Sequence, residues 1–163
     1  MELERDKHYG QWTGAQIMGF LAETLIPVRL GLTTKNGPLI VPVWFEYSSH
    51  RLHLCSPDNS LLVDALRANP EVSFDVSTND LPYAGIRGRG IASCTVAHDN
   101  RVLEKLITRY VGHTDNALAD MLLNRASDEA LVEIEPTWIT SWDFSGRMRG
   151  IESVRARVPE APM

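Results

Sequence analysis

The chain has 163 residues, 44% of them hydrophobic and 23% charged, and its 21 acidic against 16 basic side chains give a formal net charge of −5. That length fits one domain and buries about two thirds of its unfolded surface without a disulfide or metal staple. The composition excludes a wholly disordered chain, the acidic balance excludes duplex nucleic-acid binding without a local basic patch, and no apolar run reaches the ~18 residues of a membrane span.

Residues 1–150 read as a single domain and residues 151–163, with Arg155, Arg157, Pro159 and Pro162, as a loose tail. The charged start predicts no secretory signal. Cys55 and Cys94 stand far apart and lack metal-ligand spacing, so free thiols, no metal site and a cytoplasmic location are expected. The first predicted element is a helix. Thr13 serves as its N-cap, Ile17, Phe20 and Leu21 make an apolar face, and Pro27 ends it. A strand over 28–34 follows, then a turn at Lys35-Asn36-Gly37. Residues 39–47 read as one long strand, with an edge, bulge or bend at Pro42, which lacks a ladder donor. After a turn at 48–50, residues 51–55 alternate, with Leu52 and Leu54 on one face.

Asp58 or Asn59 is the expected cap of a short helix carrying Leu61, Leu62, Ala65 and Leu66. Val72, Phe74 and Val76 alternate in the next strand, and residues 83–96 form a strand with a glycine-rich middle, Gly85-Ile-Arg-Gly-Arg-Gly90. Such glycines suit a sharp bend or the close approach of a ligand. Asp99 is the expected cap of a helix through Leu103, Leu106 and Ile107. A further helix spans 116–123, and the last long strand covers 130–142, interrupted by Pro136. About six antiparallel strands with short peripheral helices define a mainly β, α+β class built on a barrel, not a doubly wound sheet.

In that order of elements, Arg29-Leu-Gly-Leu-Thr-Thr-Lys-Asn-Gly-Pro-Leu-Ile-Val-Pro-Val-Trp-Phe45, Leu52-His-Leu-Cys-Ser56, Ser60 with its helix, Arg67-Ala-Asn-Pro-Glu-Val-Ser73 and the Arg87-Gly-Arg-Gly strand resemble the pyridoxamine 5'-phosphate oxidase-like family, over about residues 12 to 144. The resemblance implies a flavin-binding split barrel and a homodimer with the cofactor at the subunit interface. It implies FMN as the cofactor, with the deazaflavin coenzyme, haem or none as alternatives. The implied activity is that of an oxidoreductase passing hydride to or from a small organic substrate. A non-catalytic, stress-related protein that holds a cofactor, tetrapyrrole or hydrophobic ligand is the alternative.

The resemblance places cofactor contacts at Val41, Pro42, Val43, Trp44, Cys55, Ser56, Pro57, Ser60 and Leu61. Backbone groups of Pro42-Val43-Trp44 would meet the ring's polar edge, and Ser56 and Ser60 would donate to the phosphate. Basic side chains hold the phosphate in the family. The matching positions here carry Val41, Glu46, Leu61 and Leu62, none of them cationic. Arg87 and Arg89, which share a strand face, and Arg29 are the replacement cations, unless that face is solvated and paired with acidic neighbours. Tyr83 and Trp142 are placed near the ring, or serve as hairpin and barrel-wall aromatics. Trp44 reads as a barrel-wall or dimer-interface aromatic before a ring stacked on the cofactor. His53 and His98 are isolated, and His113 caps a helix C-terminus or, in a haem protein, becomes the axial-ligand candidate. No catalytic side chain is identified: there is no Ser-His-Asp order, phosphate loop or dinucleotide fingerprint.

Overall fold

The computed structural model describes residues 8–97 and 99–150. His98 and the tail lie outside the described residues. The elements in chain order are β1 (His8–Gly10), α1 (Gly14–Glu23), β2 (Val28–Thr34), β3 (Gly37–Val43), β4 (Glu46–Ser48), β5 (Arg51–Pro57), α2 (Leu61–Ala68), β6 (Glu71–Ser77), β7 (Ala84–Val96), α3 (Arg101–Val111), α4 (Ala117–Leu123), a 3-10 turn at Ala126–Asp128, and β8 (Glu129–Asp143).

Seven strands form one antiparallel sheet in the order β3-β2-β6-β7-β8-β5-β4, and β1 adds a short parallel pairing to β8. No ladder joins β3 to β4 among the described residues, so the sheet is not closed. Its inner face still encloses a continuous core. Leu30, Leu52, Leu54, Val72, Phe74, Val76, Ile86, Val132, Ile134 and Ile139 are buried there with Ile17 and Leu21 of α1 and Leu62, Val63 and Leu66 of α2. Strict alternation puts one residue in two on that face. A second, smaller core lies under α3 and α4, where Leu103, Ile107, Ala119 and Ala126 meet Trp44 and Cys55.

The expected strand over 39–47 is two strands. It breaks at Trp44 and Phe45, where Phe45 turns into the interior and Trp44 toward α3. Pro42 sits on β3, which among the described residues pairs only with β2, and an edge strand is where a missing ladder donor is tolerated. Thr13 caps α1 in a full capping box with Gln16. The cap of α2 is Ser60, whose hydroxyl accepts from the Val63 N–H, and not Asp58 or Asn59. Asp99 stands one residue before the cap position of α3, which is Asn100, and its carboxylate accepts from the Arg101 N–H at 3.0 Å. That helix is closed by Gly112 in the left-handed region (φ 92°), not by His113.

Arg109 of α3 ties the two ends of the molecule's helical cover together. Its terminal nitrogens donate to the carbonyls of Leu21, Ala22 and Thr24 at the end of α1, and its guanidinium lies 5.8 Å from the Phe45 ring. These are the carbonyls that a helix end leaves unpaired. Arg109→Ala is expected to lower stability by about 2 kcal/mol, the cost of leaving such groups without a charged donor. A urea-denaturation midpoint unchanged from the parent protein would refute this role.

Candidate functional site

The outer face of the sheet is covered unevenly. Around β5, α3 and α4 pack on it. Across β3, β2, β6, β7 and β8 it forms an open cleft of about 620 Å³. Strand register builds the cleft from two rows of side chains. One runs Pro42, Arg29, Asp75, Arg87 and Thr140, and the other Ile40, Gly31, Ser73, Arg89 and Trp138.

Two glycines shape this face. Gly31 lies on the floor, where a Cβ would stand 2.5 Å from the Ser73 hydroxyl, so its missing side chain keeps the floor low between Ile40 and Arg89. Gly88 faces inward, and a Cβ there would collide with the Phe74 ring and the Trp138 carbonyl. The Arg-Gly-Arg-Gly run is therefore explained by packing beneath the strand. The arginines point outward, Gly88 admits Phe74 to the core, and Gly90 lies at a register shift opposite Pro136, against the Glu135 carbonyl.

The three cations of the face are in different states. Arg29 is engaged: it contacts Asp75 Oδ1 at 2.9 Å, Asn79 Oδ1 at 2.7 Å and Ser77 Oγ at 3.2 Å. Arg89 lies over the Trp138 ring, 5.4 Å from its centroid. Among the described residues neither Arg87 nor Arg89 has an ion-pair partner. The face thus presents two free guanidiniums and an indole surface around a cleft of ligand size.

Of the residues singled out from the sequence, Arg29, Arg87 and Arg89 line this cleft, and Pro42 stands opposite Arg29 at the edge of the same face. Trp142 shares the outer face of β8 two positions beyond Thr140. Its ring meets Phe144 at 5.4 Å, and the Phe144 N–H donates to the Tyr83 carbonyl, so the backbone of Tyr83 runs beside this aromatic pair while its side chain is exposed. The others lie elsewhere. Val41 and Val43 turn their side chains onto the core. Trp44 stacks on Tyr110, with centroids 5.0 Å apart and planes within 4°, so one face of its ring is taken. The Ser56 and Ser60 hydroxyls bond each other at 2.9 Å beside Pro57 and the exposed Leu61. Glu46 pairs with Lys105 at 3.2 Å, and Leu62 is only 6% exposed, in the core. Of the two leucines at the start of α2, Leu61 is on the surface and Leu62 is not.

Cys55 belongs to the second core. Burial, reinforced by the Glu129 carboxylate, pushes its thiol up to about 12. At pH 8 its thiolate is then a fraction on the order of one part in ten thousand, too little for a nucleophile. Iodoacetamide at that pH is expected to leave Cys55 unmodified in the folded protein and to label it after denaturation. Rapid labelling of the native protein at Cys55, followed by mass spectrometry, would contradict this.

Sequence reading missed Ile40, Gly31, Ser73 and Trp138. Trp138 and Trp142 share one face by simple alternation, and only the shift at Pro136 shows which is set beside Arg89. Ser73 matters because it lies opposite Gly31, a fact of strand pairing and not of local pattern.

No protein-family model matches the chain, and no curated protein matches it. Solved structures do. A conserved hypothetical protein of Mycobacterium tuberculosis superposes with a TM-score of 0.72 at 20% identity, over 99% of this chain and 100% of that one. An F420 reductase superposes with a TM-score of 0.61 at 23% identity, over 73% and 92%. The haem-storage protein of Vibrio cholerae does so with a TM-score of 0.54 at 13% identity, over 83% and 91%. The fold is accordingly the split barrel of pyridoxamine 5'-phosphate oxidase-like proteins, as the sequence led one to expect. At these identities the likeness shows the fold, which hosts flavin-type and haem proteins alike. No helix among the described residues is long and apolar enough to cross a membrane.

Proposed function

We propose that this chain is a flavin- or deazaflavin-dependent oxidoreductase that binds the anionic tail of its cofactor in the cleft between β2 and β8 and works as a homodimer. The observation that carries the reading is the pair of guanidiniums, Arg87 and Arg89, which have no ion-pair partner among the described residues and stand in the cleft with the Trp138 indole. A phosphate is best held by charge-assisted bonds, and the positions at which relatives would supply them are Val41, Glu46, Leu61 and Leu62 here. In this chain the charge has moved to β7. The residues therefore fit a phosphate-bearing group, held from a different strand.

The chain's own contributions follow. Arg87 and Arg89 neutralise and orient the tail. Trp138, whose ring lies under the Arg89 guanidinium, holds that cation in the cleft. The edge of β3 presents backbone groups of residues 41–43, which no further strand engages among the described residues, to polar ring atoms. The bare face, with Ile40 at 70% and Ile91 at 45% exposure, is where a second copy would cover the cleft and exclude water. When bound, the cofactor supplies the hydride chemistry. That is why no acid–base dyad need stand in the cleft.

The test is to fill the floor. Gly31→Val suits a strand backbone and displaces only a serine hydroxyl, so the variant should fold. FMN and FAD affinity, followed by flavin fluorescence, should fall at least tenfold with no loss of thermal stability. Unchanged affinity in a folded variant would move the cofactor out of this cleft.

A further inference from the structure

Asp75 sits between two arginines. Register places it directly opposite Arg29 on one side and Arg87 on the other, and all three side chains share the outer face. Directly opposed residues have Cβ atoms about 4.5–5.5 Å apart, so both guanidiniums are within reach of the one carboxylate. Only one takes it. Arg29 Nη1 meets Asp75 Oδ1 at 2.9 Å, and the Ser77 hydroxyl donates to the same oxygen at 2.7 Å. Arg29 is itself held by Asn79 Oδ1 at 2.7 Å and by the Ser77 carbonyl at 3.4 Å. Arg87 has no ion pair with Asp75 or with any other described carboxylate.

We propose that Arg29 is a positioning residue: it holds the Asp75 carboxylate away from Arg87, so that Arg87 keeps its charge for an anionic, phosphate-type ligand in the cleft. The arrangement sets the charge of the face. Arg29 and Asp75 cancel, and two positive charges remain on Arg87 and Arg89. Without Arg29, Asp75 would be an unpaired carboxylate directly across the sheet from Arg87. The new pair would compete with the ligand for the same guanidinium. Arg29 acts through Asp75 and need not touch the ligand. Asn79 and Ser77 fix the geometry by holding the guanidinium and the carboxylate in one network, whose members strengthen one another.

The proposal rests on the reading of the cleft as a phosphate site, and its test separates the two. The probes are FMN and riboflavin, which differ by the phosphate, and the readout is the ratio of their dissociation constants. The native protein should prefer FMN. Arg29→Ala should reduce that preference about tenfold, the scale of one charge-assisted bond lost to a competitor. The double variant Arg29→Ala/Asp75→Ala should regain most of it. A double variant as weak as Arg29→Ala would mean that Arg29 meets the ligand directly, and the positioning role would be overturned. If Arg29→Ala fails to fold, Asp75→Asn decides. It should hold or raise the FMN preference, and a loss as large as that of Arg87→Ala would show that Asp75 orients Arg87 instead of competing for it. A crystal structure of ligand-free Arg29→Ala gives the independent readout: the Asp75 carboxylate should lie within 4 Å of Arg87. If the native protein shows no preference for FMN, the cofactor reading fails, and that structure alone upholds or overturns the restraint on Asp75.

Discussion

Replacing Arg87 and Arg89 together by alanine should weaken FMN or FAD binding by about a hundredfold or more while leaving the fold intact. Both side chains are exposed on the outer face, and neither is part of the core. Their removal costs the protein one cation–π contact with Trp138, worth roughly 0.5–1 kcal/mol at an exposed site. The bound phosphate would lose two charge-assisted partners, each contributing about 1.5–3 kcal/mol. Binding should therefore respond far more than stability. Riboflavin affinity, which involves no phosphate, should change little. Equal losses for riboflavin and FMN would show that the arginines act on the ring or on the fold. No loss for either would remove β7 from the site.

The second large effect concerns α2. Leu62→Lys, which restores a cation where relatives of this fold would hold a phosphate, should not create a phosphate site here. Leu62 is 6% exposed and packs in the core with Val63, Leu66 and the inner sheet face. A lysine there forces an unpaired charge into apolar surroundings, which should cost about 3 kcal/mol or more. Urea denaturation of the variant should show that loss with no gain in FMN affinity. A stable Leu62→Lys protein that binds FMN more tightly would return the phosphate to the start of α2 and contradict the placement on β7.

What the sequence revealed and what it concealed follow from the range of the interactions. Alternation in 51–55 and 71–76, the Thr13 cap and the Asn-Gly turn depend on neighbours a few residues away, and each is where it was expected. The strand over 39–47 was not: at its break Trp44 stacks on Tyr110 and the Phe45 N–H donates to the Tyr110 hydroxyl, contacts with α3 that no local pattern shows. The site shows the same division. Arg87 and Arg89 are legible as a pair because period two puts them on one face. That Arg29 is engaged while they are free depends on Asp75, Ser77 and Asn79, some 46 to 50 residues later in the chain. The glycines around the arginines read as a bend or a ligand approach. For Gly88, the one glycine between the two arginines, the reason is the Phe74 ring beneath it, which only strand pairing reveals.

A flavin-type cofactor held in this cleft by the charge on β7 would show in the visible absorption spectrum of the native protein after mixing with excess FMN and gel filtration, run beside the Arg87→Ala/Arg89→Ala variant. A flavin spectrum should travel with the native protein and be lost from the variant. A native protein that leaves the column colourless, or one that carries a haem band, would contradict this reading of the cleft.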